Sequence, residues 1–260
     1  MKFDKIQISH IGNRKEYLDR VVMGSDGDYN IFAVLDGHQC NEVVDFVSKN
    51  LVDVFFNNLE NNGVNGIGEI FHKTFDQIQN DVVSKQLVGG TTVSLLYINN
   101  SNNATLGFVG DSPCYKMHFG SMIPLNLLHH NICNIRSNGE YDRLLNHLSS
   151  QELEDEIESG YLGNVNISRR IGDSIPTEFG VTHIPCCVEV NGGYSHFVLC
   201  SDGIHSYFSE YEIRKHLFDN IPVHGLLKDI ESKVLLGSEE EKDLDNVTIL
   251  VVKPRQMKTT

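Results

Sequence analysis

The chain has 260 residues, of which 40% are hydrophobic and 22% charged, a composition that supports a full buried core. Its 21 Lys and Arg stand against 35 Asp and Glu, a formal net charge of −14 at pH 7. That acid excess excludes a protein built to neutralise nucleic-acid phosphates or to adsorb to an anionic membrane.

The longest apolar runs, at residues 31–35 and 249–252, are too short to cross a bilayer. The start, MKFDKIQISH, carries no apolar stretch of signal-peptide type, so a cytoplasmic protein is expected, with the nucleus also open to it. Cys40, Cys114, Cys133, Cys186, Cys187 and Cys200 form no CxxC pair, and their spacing suggests neither a zinc site nor a disulfide frame. They read as reduced, structural thiols.

Residues 6–10 and 29–35 read as strands, the second apolar throughout and therefore buried. Ser25-Asp26-Gly27-Asp28 between them is a hairpin turn signal. Val44, Val47, Leu51 and Phe55 predict a helix over 41–59, and Ile67, Phe71, Phe75, Ile78 and Val82 another over 67–83. Gly89-Gly90 breaks the chain before β-branched runs at 91–98 and 104–109. A hairpin follows at 115–119 and 122–125. Short helices are predicted at 138–147 and 151–159, the second with an acidic, solvated face. Strands are expected at 180–184, 188–190 and 196–201. Helices are expected at 210–218, capped by Ser209, and at 223–235. A polar loop at 237–244 leads to a last strand at 246–253.

No repeat or Pro-rich linker marks a seam, so residues 1–260 read as one domain, and a monomer is the simplest state. Short hairpins favour antiparallel pairing, and helices must cover the sheet faces. The pattern predicts a layered α+β sandwich.

The informative residues are aspartates at strand ends. Leu35-Asp36-Gly37-His38, Val109-Gly110-Asp111-Ser112 and Cys200-Ser201-Asp202-Gly203 each end an apolar strand, and Asp245-Asn246 precedes the last one. A single such Asp is an ordinary turn former. Four held on rigid strands and converging would repel one another unless cations neutralised them. Oxygen ligands without Cys or clustered His suit Mg²⁺ or Mn²⁺ rather than Zn²⁺. A pair of such ions commonly serves phosphate-ester hydrolysis.

The order of these motifs resembles the metal-dependent protein phosphatases of the protein phosphatase 2C type (PPM). The resemblance runs through residues 32–38, Gly89-Gly90-Thr91-Thr92, Gly110-Asp111-Ser112, residues 167–173 (a Ser-Arg-x-x-Gly-Asp motif), residues 199–204 and residues 245–248. It implies a four-layer α/β/β/α sandwich of two antiparallel sheets packed face to face and flanked by helices. It also implies a protein serine/threonine phosphatase with phosphoprotein substrates.

By the same resemblance, Asp36 would bridge two Mg²⁺ or Mn²⁺ ions, with the Gly37 carbonyl on one. Asp202 and Asp245 would complete the pair, and Asp111 with Asp202 would serve a weaker third ion. Asp19 would hold metal-bound waters. Arg14 would take the phosphate, and His38 would protonate the leaving oxygen as a metal-held water attacks directly.

Three departures are visible. Leu18 stands where the family usually places a Glu, which predicts weaker metal binding. Glu16, two residues earlier, would share the face of Leu18 if the segment were extended, though a surface role suits it better. Pro113 follows the Gly-Asp-Ser motif where Arg is common. Residues 127–164 match only loosely and contain the family's variable flap; His129 and His130 there read as near-site or surface residues. The rival reading is a pseudophosphatase that keeps the fold as a binding module. Retention of Asp36, Asp111, Asp202, Asp245, Arg14 and His38 favours catalysis.

Overall fold

The computed structural model describes residues 2–62, 66–127, 129–137, 139–172, 177–190, 193–218, 228–234, 236 and 244–255. In chain order the elements are β1 (Phe3–His10), β2 (Asp19–Asp26), β3 (Tyr29–His38), α1 (Asn41–Asn62), α2 (Ile67–Ser84), β4 (Gly90–Thr91), β5 (Val93–Ile98) and β6 (Ala104–Val109). They continue with β7 (Cys114–His118), β8 (Ser121–Pro124), α3 (Glu140–Leu144), α4 (Ser150–Ser159), β9 (Ile171–Gly172), β10 (Cys186–Val190), β11 (His196–Cys200), α5 (Ile204–Tyr207), α6 (Glu210–Phe218) and β12 (Val247–Pro254).

Two antiparallel sheets result. One has the order β1-β12-β11-β7-β8. The other has the order β10-β6-β5-β3-β4-β9, with β2 also paired to β3. The apolar run Ile31 to Leu35 is buried on both faces because each face has its own cover. Phe32 and Val34 meet Phe197, Leu199 and Leu250 of the opposite sheet, so the sheets pack face to face. Ile31, Ala33 and Leu35 meet the stripes of α1 and α2, where Phe55 and Phe71 pack edge to face at 5.4 Å. On the outer face of the five-stranded sheet, Tyr115, Val198 and Ile249 pack against Ile204, Tyr207, Ile213 and Ile230. The architecture is the expected α/β/β/α sandwich. Among the described residues, no helix is long and apolar enough to cross a membrane.

Two predictions need correction. Residues 180–184 form no strand; Thr182 makes only an isolated bridge to Arg169. Pro185 explains the stop, since it has no N–H to donate and restricts the residue before it. Sequence reading also missed β2, which pairs with β3 over its whole length. The helix expected at 138–147 shrinks to α3, while Ser149 caps α4 with a reciprocal bond to Glu152. Ser209 does the same for α6, accepting from Glu212 N and donating to its carboxylate. Of the helix expected at 223–235, residues 228–234 are helical, and 223–227 and 235 lie outside the described residues. So do 237–243 of the predicted polar loop, and Asp173 of the Ser-Arg-x-x-Gly-Asp motif.

Candidate active site

The two sheets converge at one end, and the aspartates lie there. The β2–β3 hairpin sets Asp19 directly opposite Asp36. After β6, Gly110 takes φ 89°, and a Cβ on it would stand 2.5 Å from Thr92 Cγ2. That turn sends Asp111 toward the same end. The antiparallel pairing of β11 with β12 does the same for Asp202 and Asp245. A cleft of about 530 Å³ results, lined by Arg14, Asp36, His38, Asp111, Asp202 and Asp245 among others. Asp19 lies behind it, 1% exposed.

The acid end is braced by side chains the motif reading left without roles. Thr92 interrupts the ladder between β4 and β5. Its N donates to Asp36 O at 2.9 Å, and its Oγ1 accepts from Asp36 N at 3.1 Å. Ser201 ties the sheets together: its Oγ donates to Asp19 Oδ2 at 2.7 Å and accepts from Thr248 N at 2.9 Å. Asn246 staples the loop that carries Arg14. Its Nδ2 donates to Ile11 O and Glu16 O at 2.8 and 3.0 Å, and its Oδ1 accepts from Leu18 N at 2.7 Å. Residues 14–18 are therefore an irregular loop, so the strand alternation proposed for Glu16 and Leu18 does not apply. Both residues nevertheless line the cleft.

The electrostatics are those of crowded acids. Burial, then the charges of Asp202 and Asp19, pushes the Asp36 carboxyl well above the usual range. Burial pushes Asp19 up to about 7 against the opposing hydrogen bonds from Ser201 and Thr248, with Asp202 and Asp245 adding to the rise. Burial and Asp202 push Asp111 to about 7, although Asn131 Nδ2 donates to it at 2.7 Å. Asp19 Oδ1 is buried with no hydrogen-bond partner. A buried carboxylate oxygen without a partner among repelling acids fits a hydrated hard dication, whose waters would satisfy the oxygen and whose charge would neutralise its neighbours.

The cations nearby are engaged. Arg14 Nη2 lies 3.1 Å from Asp245 Oδ2, both side chains 42% exposed. Arg170 Nη1 lies 3.0 Å from His38 Nε2. A guanidinium only donates, so Nε2 accepts and a neutral His38 carries its proton on Nδ1. Arg169, the motif's own Arg, turns away from the cleft. It joins Arg143 and Ser168 on the buried Glu140, with contacts of 2.6 Å from Arg169 Nη2, 2.8 Å from Arg143 Nη2 and 2.7 Å from Ser168 Oγ. That clasp fastens α3, in the loosely matching segment, to the Ser-Arg motif.

His129, His130 and Cys186 bring donor atoms within 4.8 Å of one another. Gly110 N donates to His130 Nδ1 at 3.0 Å, so the ring proton sits on Nε2, 3.4 Å from Cys186 Sγ. A metal on Nε2 would displace that proton onto Nδ1, against the Gly110 N–H. The group is thus a hydrogen-bonded support beneath the Asp111 turn.

Fold and cleft together define an α+β sandwich with an acid site at the shared end of its sheets. A sequence model of the protein phosphatase 2C family matches residues 3–221. The chain belongs to that family. Asp245 lies beyond the matched span. A comparison with curated proteins gives no match. Among solved structures, a sex-determining protein of C. elegans superposes with a TM-score of 0.74 at 19% identity, covering 98% of this chain. This chain spans only 65% of that protein's length. A serine-threonine phosphatase 2C from Toxoplasma gondii gives 0.66 at 15% identity, with 96% and 94% of the two chains covered. A PPM Ser-Thr phosphatase from Mycobacterium smegmatis, in complex with cacodylate, gives 0.59 at 17%, with 97% and 98% covered. At these identities the likeness establishes the fold.

Proposed function

We propose that the chain is a metal-dependent phosphatase that hydrolyses phosphoserine and phosphothreonine in proteins. The observation that carries this reading is the crowding of Asp19, Asp36, Asp111, Asp202 and Asp245, with the carboxyls of Asp19, Asp36 and Asp111 raised by burial and by the charge of their neighbours. Under this reading Asp36, the Gly37 carbonyl, Asp202 and Asp245 hold two Mg²⁺ or Mn²⁺ ions. Asp111 and Asp202 serve a weaker third, and Asp19 orders waters beside them. When bound, such ions lower the pKa of a water and offset the charge of the phosphoryl oxygens.

The chain's own residues supply the rest. Arg14 exchanges Asp245 for the substrate phosphate, whose oxygens match the guanidinium fork. His38 gives a proton to the departing Ser or Thr oxygen, a poor leaving group when unprotonated.

The test is phosphate release from an aryl phosphate and a phosphothreonine peptide, with Mn²⁺, with EDTA, and in Asp36→Ala. Turnover is expected with Mn²⁺ and none with EDTA. Asp36→Ala should lose roughly 10³-fold, because several kcal/mol of charge stabilisation go with the ligand. No metal-dependent turnover up to several millimolar Mn²⁺ would contradict the proposal and favour a binding module that has kept the fold.

A further inference from the structure

A second cavity, of about 410 Å³, adjoins the acid cleft. Gln39, Asn164 and Arg170 line both spaces. The remaining wall is neutral, formed by residues such as Val83, Gln86, Val88 and Gly89. Arg170 is the one charged side chain among the described residues that line it. The residue is 1% exposed, and its contact with His38 fixes the guanidinium at the partition between the two spaces. A charge desolvated in this way acts strongly on a ligand group across a low-dielectric wall.

A second, independent observation marks the same wall. Gln39 adopts left-handed backbone, with φ of 69°, in a tight turn closed by Cys40 N donating to His38 O at 2.9 Å; the left-handed Gln86 beside it is the ordinary cap that ends α2. The Gln39 conformation costs on the order of 1 kcal/mol or more for a residue with a side chain, and strain of this kind gathers at binding sites.

We propose that this cavity is an anion subsite. It would take an acidic group carried within about three residues of the phosphorylated one, about 10 Å of extended chain. Arg170 supplies the recognising charge. The inference rests on the phosphatase reading for its substrate and narrows that substrate to acidic phosphopeptides. The charge logic is direct. In the otherwise neutral second cavity, Arg170 is the cation that an anion flanking the phosphate meets. The group is either a carboxylate or a second phosphate, which share this chemistry.

The experiment uses fluorescent peptides bearing a non-hydrolysable phosphonate in place of phosphothreonine, with Mn²⁺ present. One peptide has neutral flanks, one Asp flanks and one a flanking phosphoserine. Anisotropy gives Kd for the wild type, Arg170→Gln and Val88→Glu, each checked for folding by thermal melt. At low salt the acidic peptides should bind the wild type on the order of tenfold more tightly than the neutral one. The ratio should fall to about one in Arg170→Gln. It should also fall in Val88→Glu, which leaves the His38 contact in place and adds a carboxylate to the wall. The Asp and phosphoserine arms identify which anion is preferred. Equal Kd values in the wild type, or an undiminished ratio in Arg170→Gln, would overturn the subsite. Aryl phosphate turnover, read separately, reports on the phosphatase proposal: turnover without discrimination removes only the subsite, and discrimination without turnover removes only the phosphatase.

Discussion

Glu140 and Asp19 are both almost wholly buried, at 2% and 1% exposed, yet their carboxyls are driven in opposite directions. Burial alone would raise Glu140, but hydrogen bonds and charge from Arg169 and Arg143 outweigh it and hold the carboxyl well below its ordinary range. Asp19 has hydroxyl partners and acid neighbours, and it is pushed up to about 7. The difference is the supply of cations. The clasp carries its own guanidinium groups and is electrostatically complete. The cleft gathers more acids than cations, with Arg14 on Asp245 but no guanidinium on Asp19, which is how a protein prepares a place for an external cation.

The comparison can be broken most forcefully at the clasp. Glu140→Gln leaves two buried guanidinium groups facing a neutral amide and should cost about 3–5 kcal/mol in unfolding free energy at neutral pH. The pH dependence has a definite sign. A depressed folded pKa gives stability that is fully present above the unfolded value near 4 and lost as pH falls toward the folded one. The gap between wild type and Glu140→Gln in urea melts should therefore be constant near neutrality and close in acid. A gap that persists unchanged at low pH would mean that packing, rather than charge, makes the clasp.

A smaller effect sharpens the other side. Leu18 lines the cleft and offers no oxygen. Leu18→Glu should lower the Mn²⁺ concentration for half-maximal phosphate release, by on the order of tenfold at most. An unchanged metal response would show that position 18 does not reach the ions' surroundings.

Asp36, Asp111, Asp202 and Asp245 were legible in sequence because each sits beside an apolar strand, and strands that pair bring their ends together; Asp19 was marked only by the family resemblance, since it opens the strand β2 that no apolar pattern announced. The clasp was not. Glu140 meets Ser168 and Arg169 across 28 and 29 residues, through a segment whose path no local pattern specifies. Arg170 stood inside a quoted motif, but its contact with His38 spans 132 positions and depends on how β9 joins the sheet beside β4. Asn246 was quoted as a neighbour of Asp245. Its role as a staple appears only with the loop at 11–18 folded onto it, and that same fold removes the strand alternation inferred for Glu16. The absent strand at 180–184 carried its own signal in Pro185.

The central claim, that the cleft's acids await dications, is tested most directly by thermal melts with and without Mn²⁺. Acids whose folded pKa is raised hold protons that the unfolded chain gives up. They cost the metal-free protein stability as pH rises from about 4 through about 7. At pH 8, Mn²⁺ should raise the melting temperature of the wild type steadily with the logarithm of its concentration, a stabilisation of about 2.7 kcal/mol at 100 times Kd. Asp36→Asn should melt higher than the wild type without metal and gain little from Mn²⁺. A wild type indifferent to Mn²⁺, or an Asp36→Asn variant stabilised just as much, would contradict the account.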